Sequence, residues 1–341
     1  MTAAELFAQG CAIPAHPLAL TADRKLDERR QLAVGRYYAA AGAGGMAVGV
    51  HTTQFAIHDN GMLKPVLELA MQAAREAARP MAMIAGVQGD VVEAVREANL
   101  ARDLGYHMVL LRPAAGSDDE MIARARAVGE VLPVVGFYLQ PAVGGRVLSR
   151  DYWRRFAALD CVAGIKVAPF DRYRTLDVLH GVAASGRANK IALYTGNDNN
   201  ILGDLITPYT LVTPDGPLSL RFVGGLLGQF AVWTKVAVEL VDASHKAAAG
   251  DQAALSKLMR LDGPLTDANA ALFDVAHDFA GCIAGINEVL ARQGLLGGRW
   301  CLDPHEDLSP GQAEEISRVI GDYPELTDDA FIAEHRDRWL R

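Results

Sequence analysis

Short apolar runs alternate with amphipathic stretches between residues 12 and 228 of the chain. Each apolar run has the length of a buried β-strand, and each amphipathic stretch repeats its apolar positions with helical spacing. Fully apolar strands that each precede a helix indicate a parallel sheet covered by helices. Seven or eight such units favour a closed (β/α)8 barrel over an open doubly wound sheet. The predicted strands are Ala12–Leu20, Gly45–Val50, Met81–Gly86, His107–Leu111, Val134–Tyr138, Val162–Ala168, Lys190–Thr195 and Leu218–Val223.

After Gly228 the apolar positions follow helical spacing alone, as in Leu272, Val275, Phe279, Ile283, Ile286 and Leu290. We therefore expect a (β/α)8 catalytic barrel over residues 1–228. A helical extension with a tail follows over residues 229–341, packed on the barrel or on a neighbouring subunit. The apolar faces of this extension predict a homo-oligomer, either a dimer or a tetramer.

Composition and charge narrow the function classes. The formal net charge is −8, and lysine and arginine form no long run, which argues against nucleic acid or an anionic membrane as the main partner. We see no signal peptide at the N-terminus and no apolar run long enough to span a membrane. The four cysteines are far apart and form no C-x-x-C pair. A cytoplasmic protein with reduced structural thiols is the expectation.

Lys166 lies near the end of the apolar strand Cys161–Ala168. Residues at the carboxyl ends of barrel strands face the active site. Burial disfavours the charged form of an amine, so a buried lysine gains a neutral fraction that can attack a ketone carbonyl. The alternative is a lysine that extends from the strand end to pair with a neighbouring carboxylate, and the strand alone leaves both interpretations open.

Five segments in sequence order resemble motifs of the dihydrodipicolinate synthase / N-acetylneuraminate lyase family. The segments are Ala43–Thr53, Ile84–Val87, Gly136–Pro141, Gly164–Ala168 and Tyr194–Asp198. The resemblance implies a Schiff-base enzyme acting on pyruvate or another 2-keto acid, with Lys166 forming the imine. It implies that Tyr138 passes protons and that Thr52 and Thr53 hold the substrate carboxylate. Gly196, in the last segment, is assigned to substrate binding by the same resemblance.

Three departures from the family pattern matter for the reaction. His51 stands where the family has a glycine, and Leu111–Gly116 has no counterpart of the tyrosine that the synthases use as a proton relay. Val143 occupies the position of the arginine that reads the second substrate's carboxylate. We therefore expect an aldolase or hydro-lyase and not the lysine-biosynthetic condensation. His51 is predicted to do part of the missing proton transfer.

Two other function classes remain open. His16 and His51, at the ends of the first two predicted strands, would project over the barrel mouth and could bind a divalent ion. No third ligand of matching placement is visible in the sequence, so we expect neither a metal nor a cofactor. His16 is then a substrate-site residue beside His51. The second alternative is a catalytically silent barrel that binds a ligand, since the tyrosine and arginine of the family are missing.

Overall fold

A computed structural model describes residues 1–214 and 216–341. Eight parallel strands follow one another in the order β1-β10-β7-β6-β5-β4-β3-β2. A bridge from Ala15 to Ala47 joins the two end strands, so the sheet closes into the predicted (β/α)8 barrel. The strands are β1 (Ala12–Pro14), β2 (Gly45–Val48), β3 (Ala82–Val87), β4 (Met108–Leu111), β5 (Val134–Leu139), β6 (Val162–Ala168), β7 (Ala192–Thr195) and β10 (Gly224–Leu227).

Helices surround the barrel and continue beyond it. The barrel region contains α1 (Ala3–Gln9), α2 (Glu28–Ala41), α3 (Leu63–Glu76), α4 (Val91–Leu104), α5 (Asp118–Gly129), α6 (Arg150–Ala157), α7 (Arg172–Ala183) and α8 (Ile201–Ile206). The extension contains α9 (Thr234–Ala248), α10 (Gln252–Leu272), α11 (Cys282–Arg292), α12 (Gln312–Asp322) and α13 (Asp329–Trp339). No helix in the described part of the chain is long and apolar enough to cross a membrane.

Side chains of the strands alternate between two apolar layers. One layer fills the barrel interior, and the other lies between the barrel and its helices. In β5, Val135, Phe137 and Leu139 face the interior, whereas Val134 and Tyr138 face the helices. Because neighbouring strand residues point to opposite sides, a shift of one residue decides whether a side chain can reach the barrel mouth.

Two predicted strands differ from the structure by more than two residues at one end or both. The segment Leu218–Val223 does not form the eighth barrel strand, because Leu218 belongs to an antiparallel hairpin of β8 (Tyr209–Thr213) and β9 (Gly216–Leu220). The eighth strand is β10, where a Cβ on Gly224 would lie only 2.4 Å from the carbonyl oxygen of Cys11. Glycine therefore permits the close approach of β10 to β1. The first strand is also shorter than expected, with three residues in place of Ala12–Leu20.

The extension reaches the mouth of the barrel. Asn269 of α10 donates a hydrogen bond from its side-chain amide to the carbonyl oxygen of Asp198, 2.7 Å away, just beyond β7. Farther along the chain, the buried carboxylate of Asp328 accepts hydrogen bonds from the Tyr37 hydroxyl at 2.7 Å and from the backbone N–H of Lys235 at 3.0 Å. The tail is thereby joined to α2 and to α9.

Candidate active site

A narrow pocket opens at the carboxyl ends of the barrel strands. The barrel contributes side chains that follow or end β2, β5, β6 and β7, among them His51, Lys166 and Asp198. The extension covers the pocket with Phe273, Phe279 and Cys282. A partly apolar hollow with a few ionisable groups is typical of a site for a small molecule.

Lys166 is the cation of this pocket. It lies on β6 directly opposite Phe137 of β5, and its Nζ is 4.4 Å from the centre of the Phe137 ring. The side chain is only 7% exposed, and its amine has no hydrogen-bond partner among the described residues. Burial lowers the pKa of Lys166 to about 8, although the charge of Asp198 acts in the opposite direction.

Gly196 shapes the space that the lysine side chain occupies. A Cβ at this position would lie 2.8 Å from Cε of Lys166 and 2.7 Å from Cβ of Ala168. Both separations are shorter than ordinary van der Waals contact, so a larger residue would displace the lysine. The structure thus brings Gly196 to the site as the residue against which the stem of Lys166 packs.

Asp198 is the site residue that the sequence analysis did not select. Its side chain lines the pocket and is buried, and burial raises the pKa of Asp198 to about 7 even though the charge of Lys166 lowers it. The backbone N–H of Gln229 donates to its carboxylate at 3.4 Å. Asp198 ends the segment Tyr194–Asp198, and an acid that follows an apolar strand is a signal that could have identified it.

His51 and Thr52 also line the pocket. They belong to a short 3-10 turn, His51–Thr53, that follows β2. Burial, together with the positive charges of Lys166 and Arg112, lowers the pKa of His51 to about 4. The imidazole is therefore neutral at pH 7. The hydroxyl of Thr52 has no hydrogen-bond partner within the described residues, which leaves it free to bind a substrate.

Thr53 and His16 do not reach the pocket, contrary to the expectation from the sequence. The Thr53 hydroxyl donates to the carbonyl oxygen of His16 at 2.6 Å and accepts from the backbone N–H groups of Gly49 and Val50 at 3.0 and 3.1 Å. Thr53 thus fixes the turn after β2 and has no remaining donor for a carboxylate.

The ring of His16 points into the layer between the barrel and α2. It packs edge-on against Tyr38, with 5.2 Å between ring centres, and its Nδ1 lies 3.0 Å from the amide nitrogen of Gln31. Burial lowers the pKa of His16 to about 4. Because His16 and His51 face different layers, they cannot share a metal ion, and no metal-binding group of three His, Cys, Asp or Glu residues occurs in the described chain.

Tyr138 is likewise outside the pocket. Its ring packs against Trp153 of α6, with 5.4 Å between centres, and its hydroxyl accepts a hydrogen bond from the backbone N–H of Leu148 at 3.2 Å. The register explains the difference from the sequence expectation. Opposite Val134 and Val135, β6 contains one extra residue, so Phe137 and not Tyr138 lies opposite Lys166. Because side chains alternate along β5, Tyr138 points to the opposite face from Phe137.

No family model and no curated protein matches this chain by sequence. Among solved structures, dihydrodipicolinate synthase from Oceanobacillus iheyensis aligns at a TM-score of 0.72 with 19% identity, covering 94% of this chain and 99% of that one. The synthase from Bacteroides thetaiotaomicron has a TM-score of 0.74 and 16% identity, with coverages of 92% and 98%. N-acetylneuraminate lyase from Fusobacterium nucleatum has a TM-score of 0.73 and 15% identity, with coverages of 93% and 99%. The chain therefore has the fold of dihydrodipicolinate synthases and N-acetylneuraminate lyases, and the resemblance inferred from the sequence is confirmed at the level of the fold.

Proposed function

We propose that this protein is a Schiff-base lyase that binds pyruvate or another 2-keto acid through Lys166. The observation that carries the proposal is the amine of Lys166, which is buried in a pocket at the barrel mouth and has a pKa lowered to about 8. At pH 7 about one such amine in ten is neutral, against fewer than about one in a thousand at the reference pKa. Two solved structures of this fold, a dihydrodipicolinate synthase and an N-acetylneuraminate lyase, contain pyruvate.

The first half of the reaction forms the imine. The neutral amine of Lys166 attacks the keto carbon, the carbonyl oxygen takes up protons and leaves as water, and a protonated imine remains. Asp198, whose pKa is raised to about 7, is partly protonated at neutral pH and supplies a proton to the leaving oxygen. The free hydroxyl of Thr52 binds the substrate carboxylate.

The second half breaks a carbon–carbon bond. In a 4-hydroxy-2-keto acid, neutral His51 takes the proton of the C4 hydroxyl, and the C3–C4 bonding electrons move into the imine. An aldehyde leaves, the resulting enamine takes a proton at C3 from the His51 imidazolium, and water releases pyruvate and the free amine. A dehydration would use the same imine, with loss of a C3 proton and of the C4 hydroxyl as water.

Reductive trapping tests the imine directly. Incubation with pyruvate and borohydride should add the reduced adduct to the peptide that contains Lys166, as read by peptide mass. Lys166→Arg should abolish trapping while the protein stays folded, because a guanidinium is never appreciably neutral. Lys235→Arg, a change at an exposed ion pair with Glu239, is the matched control and should trap normally. An adduct on another lysine, or none with any 2-keto acid, would refute the proposal.

A further inference from the structure

We infer that the substrate of this site carries an apolar group of about phenyl size at the end of its carbon skeleton farthest from the keto-acid group. This inference rests on the proposed function and specifies the aldehyde that cleavage would release. It follows from the shape, the walls and the charge of the space that continues the Lys166 pocket toward α10.

The space next to the pocket is larger than the pocket itself. The cavity volume around Lys166 is about 50 Å³, and a groove of about 340 Å³ adjoins it. The two share Gln140, Phe170, Asp198, Phe273 and Phe279 as walls. A ligand held at Lys166 by its keto carbon can therefore extend its distal end only a short way before it enters the groove.

Aromatic rings line the passage between pocket and groove. Phe170 and Phe279 are 5.7 Å apart between ring centres with their planes at 64° to each other, and Phe273 borders both spaces. Val143 lines the pocket at the position where the family resemblance expects an arginine for a second carboxylate. An apolar side chain at that point favours an apolar substituent over a carboxylate.

The charges of these walls also disfavour a second anionic group. Among the described residues that line the pocket and groove, Lys166 is the only lysine or arginine, and it is already bonded to the keto carbon in the imine. Asp198 faces both spaces and would repel a distal carboxylate. The side-chain amides of Asn199 and Asn269 each donate one N–H, to the carbonyl oxygens of Phe170 and Asp198 respectively.

The aromatic walls are held in an uncommon backbone conformation. Seven non-glycine residues in the described chain have positive φ, and two of them are the wall residues Phe170 and Phe279. Asp274 and Asp278, which adjoin Phe273 and Phe279 in sequence, are two more, and φ of these four residues ranges from 52° to 69°. The Asp274 carboxylate fixes the turn by accepting from the backbone N–H of Gly281 at 2.9 Å. Such strain persists only where the surroundings enforce it, and it concentrates at ligand sites. The rings are thus preorganised before a ligand binds.

The test compares 2-keto acids that differ in their distal group. Half-saturating concentrations for borohydride trapping at Lys166 are measured with 4-phenyl-2-oxobutanoate and with 2-oxoadipate, whose distal group is a carboxylate. We expect the phenyl compound to saturate at a concentration at least about tenfold lower. Phe279→Ala should raise its half-saturating concentration by about tenfold, whereas Phe331→Ala, which removes a partly buried ring of α13 outside the groove, should not change it.

A second variant should reverse the preference for the phenyl compound if the named residues form the walls around the distal end of the substrate. Val143→Arg places a cation in the pocket and should favour 2-oxoadipate over the phenyl compound, which keeps the test valid even if Phe279→Ala fails to fold. Equal or tighter trapping of 2-oxoadipate by the wild type would overturn the inference while leaving the Lys166 imine intact. If Phe279→Ala folds and its half-saturating concentration for 4-phenyl-2-oxobutanoate is unchanged, the inference is overturned as well. Absence of trapping with every keto acid would instead refute the proposed function.

Discussion

At the scale of single residues, the chemistry depends on a buried amine and a buried carboxyl that influence each other. Burial favours the neutral form of both groups, so it lowers the pKa of Lys166 and raises the pKa of Asp198. The attraction between the charged forms shifts each pKa in the opposite direction. Burial thus brings the two pKa values toward each other, to about 8 for Lys166 and about 7 for Asp198, while the attraction between the charged forms keeps them apart. Near neutral pH the pair holds protons that can move to and from a bound carbonyl oxygen.

Asp198→Asn tests this coupling. The substitution removes the negative charge that raises the pKa of Lys166, so that pKa should fall below about 8. The rate of pyruvate trapping by borohydride should then reach half of its plateau at a lower pH than in the wild type. Asp242→Asn, a change in α9 outside the pocket, should leave the midpoint in place. A midpoint that rises or stays constant in Asp198→Asn would contradict the coupling.

His51→Gln tests the proton transfer. A positioned general base contributes about 10²–10⁴ in rate, or roughly 3–5 kcal/mol of barrier. Exchange of the pyruvate C3 protons with deuterated water, followed by NMR, should fall at least about a hundredfold in this variant. Trapping at Lys166 should persist, because imine formation precedes the C3 step. His305→Gln, in the exposed tail, serves as the control.

The pH dependence of the same exchange reaction separates the roles of the two groups. From the sequence, a histidine with an ordinary pKa predicts a change in the exchange rate near pH 6.5, seen as a limb of the pH–rate profile. In the structure the pKa of His51 is lowered to about 4, so its limb should appear near pH 4 and vanish in His51→Gln. A limb near pH 7 belongs to Asp198 and should remain. Loss of the pH 7 limb in His51→Gln would reverse this assignment.

The candidate site could be predicted from the sequence where the local pattern determined the environment. Lys166 sits in an apolar strand and His51 follows one, so the apolar pattern placed both residues near the carboxyl ends of strands. Asp198 lies beyond the end of its strand, and its burial depends on Gln229 and Asn269, which are distant in sequence. Its role therefore required tertiary structure.

At the scale of elements, strand existence was predictable and strand register was not. The spacing of Tyr138 and Lys166 suits neighbouring strands, but one extra residue in β6 shifts the pairing after Val134, so that Phe137 and not Tyr138 lies opposite Lys166. The eighth strand shows the same limit. Its Gly224 and Gly225 carry no hydrophobic signal, and they are required by close contacts with Cys11 and Phe230 that a single sequence does not reveal.

Asp328 connects three elements, and its removal should destabilise the fold. Its carboxylate accepts from Tyr37 of α2 and from the backbone N–H of Lys235 in α9. Asp328→Ala leaves both donors without a partner, so we expect the free energy of unfolding at pH 7 to fall by about 2–4 kcal/mol in urea titrations. Asp337→Ala, whose side chain is 80% exposed, should change it by less than about 0.5 kcal/mol.

The loss of unfolding free energy in Asp328→Ala should also depend on pH. Burial raises the pKa of Asp328 in the folded state to about 6, from 3.8. A raised pKa contributes stability below the unfolded value, and that contribution disappears as the pH rises through 6. The difference in unfolding free energy between the wild type and Asp328→Ala should therefore be larger at pH 5 than at pH 7, by about 1 kcal/mol. A smaller difference at pH 5 would contradict the raised pKa.

At the scale of the whole molecule, the apolar faces of the C-terminal helices no longer support the expected homo-oligomer. The apolar faces of the C-terminal helices pack within the chain, and Leu258, Leu265 and Leu272 of α10 are buried. Exposed apolar side chains occur elsewhere. Val92 is 76% exposed in the first turn of α4, and Val147 is 54% exposed before α6.

Both valines are close in sequence to residues that line a hollow at the barrel mouth, Asp90 and Arg146. Exposed apolar groups around a hollow are a typical feature of a subunit contact. We predict that the protein is a dimer or tetramer at micromolar concentration, as measured by light scattering. The double variant Val92→Asp, Val147→Asp should have the mass of a monomer, because an interface would bury both charges without partners. Val212→Asp, at a position 89% exposed on the β8–β9 hairpin, should keep the wild-type mass. A monomeric wild type would refute the oligomer, and an oligomeric double variant would place the contact on another face.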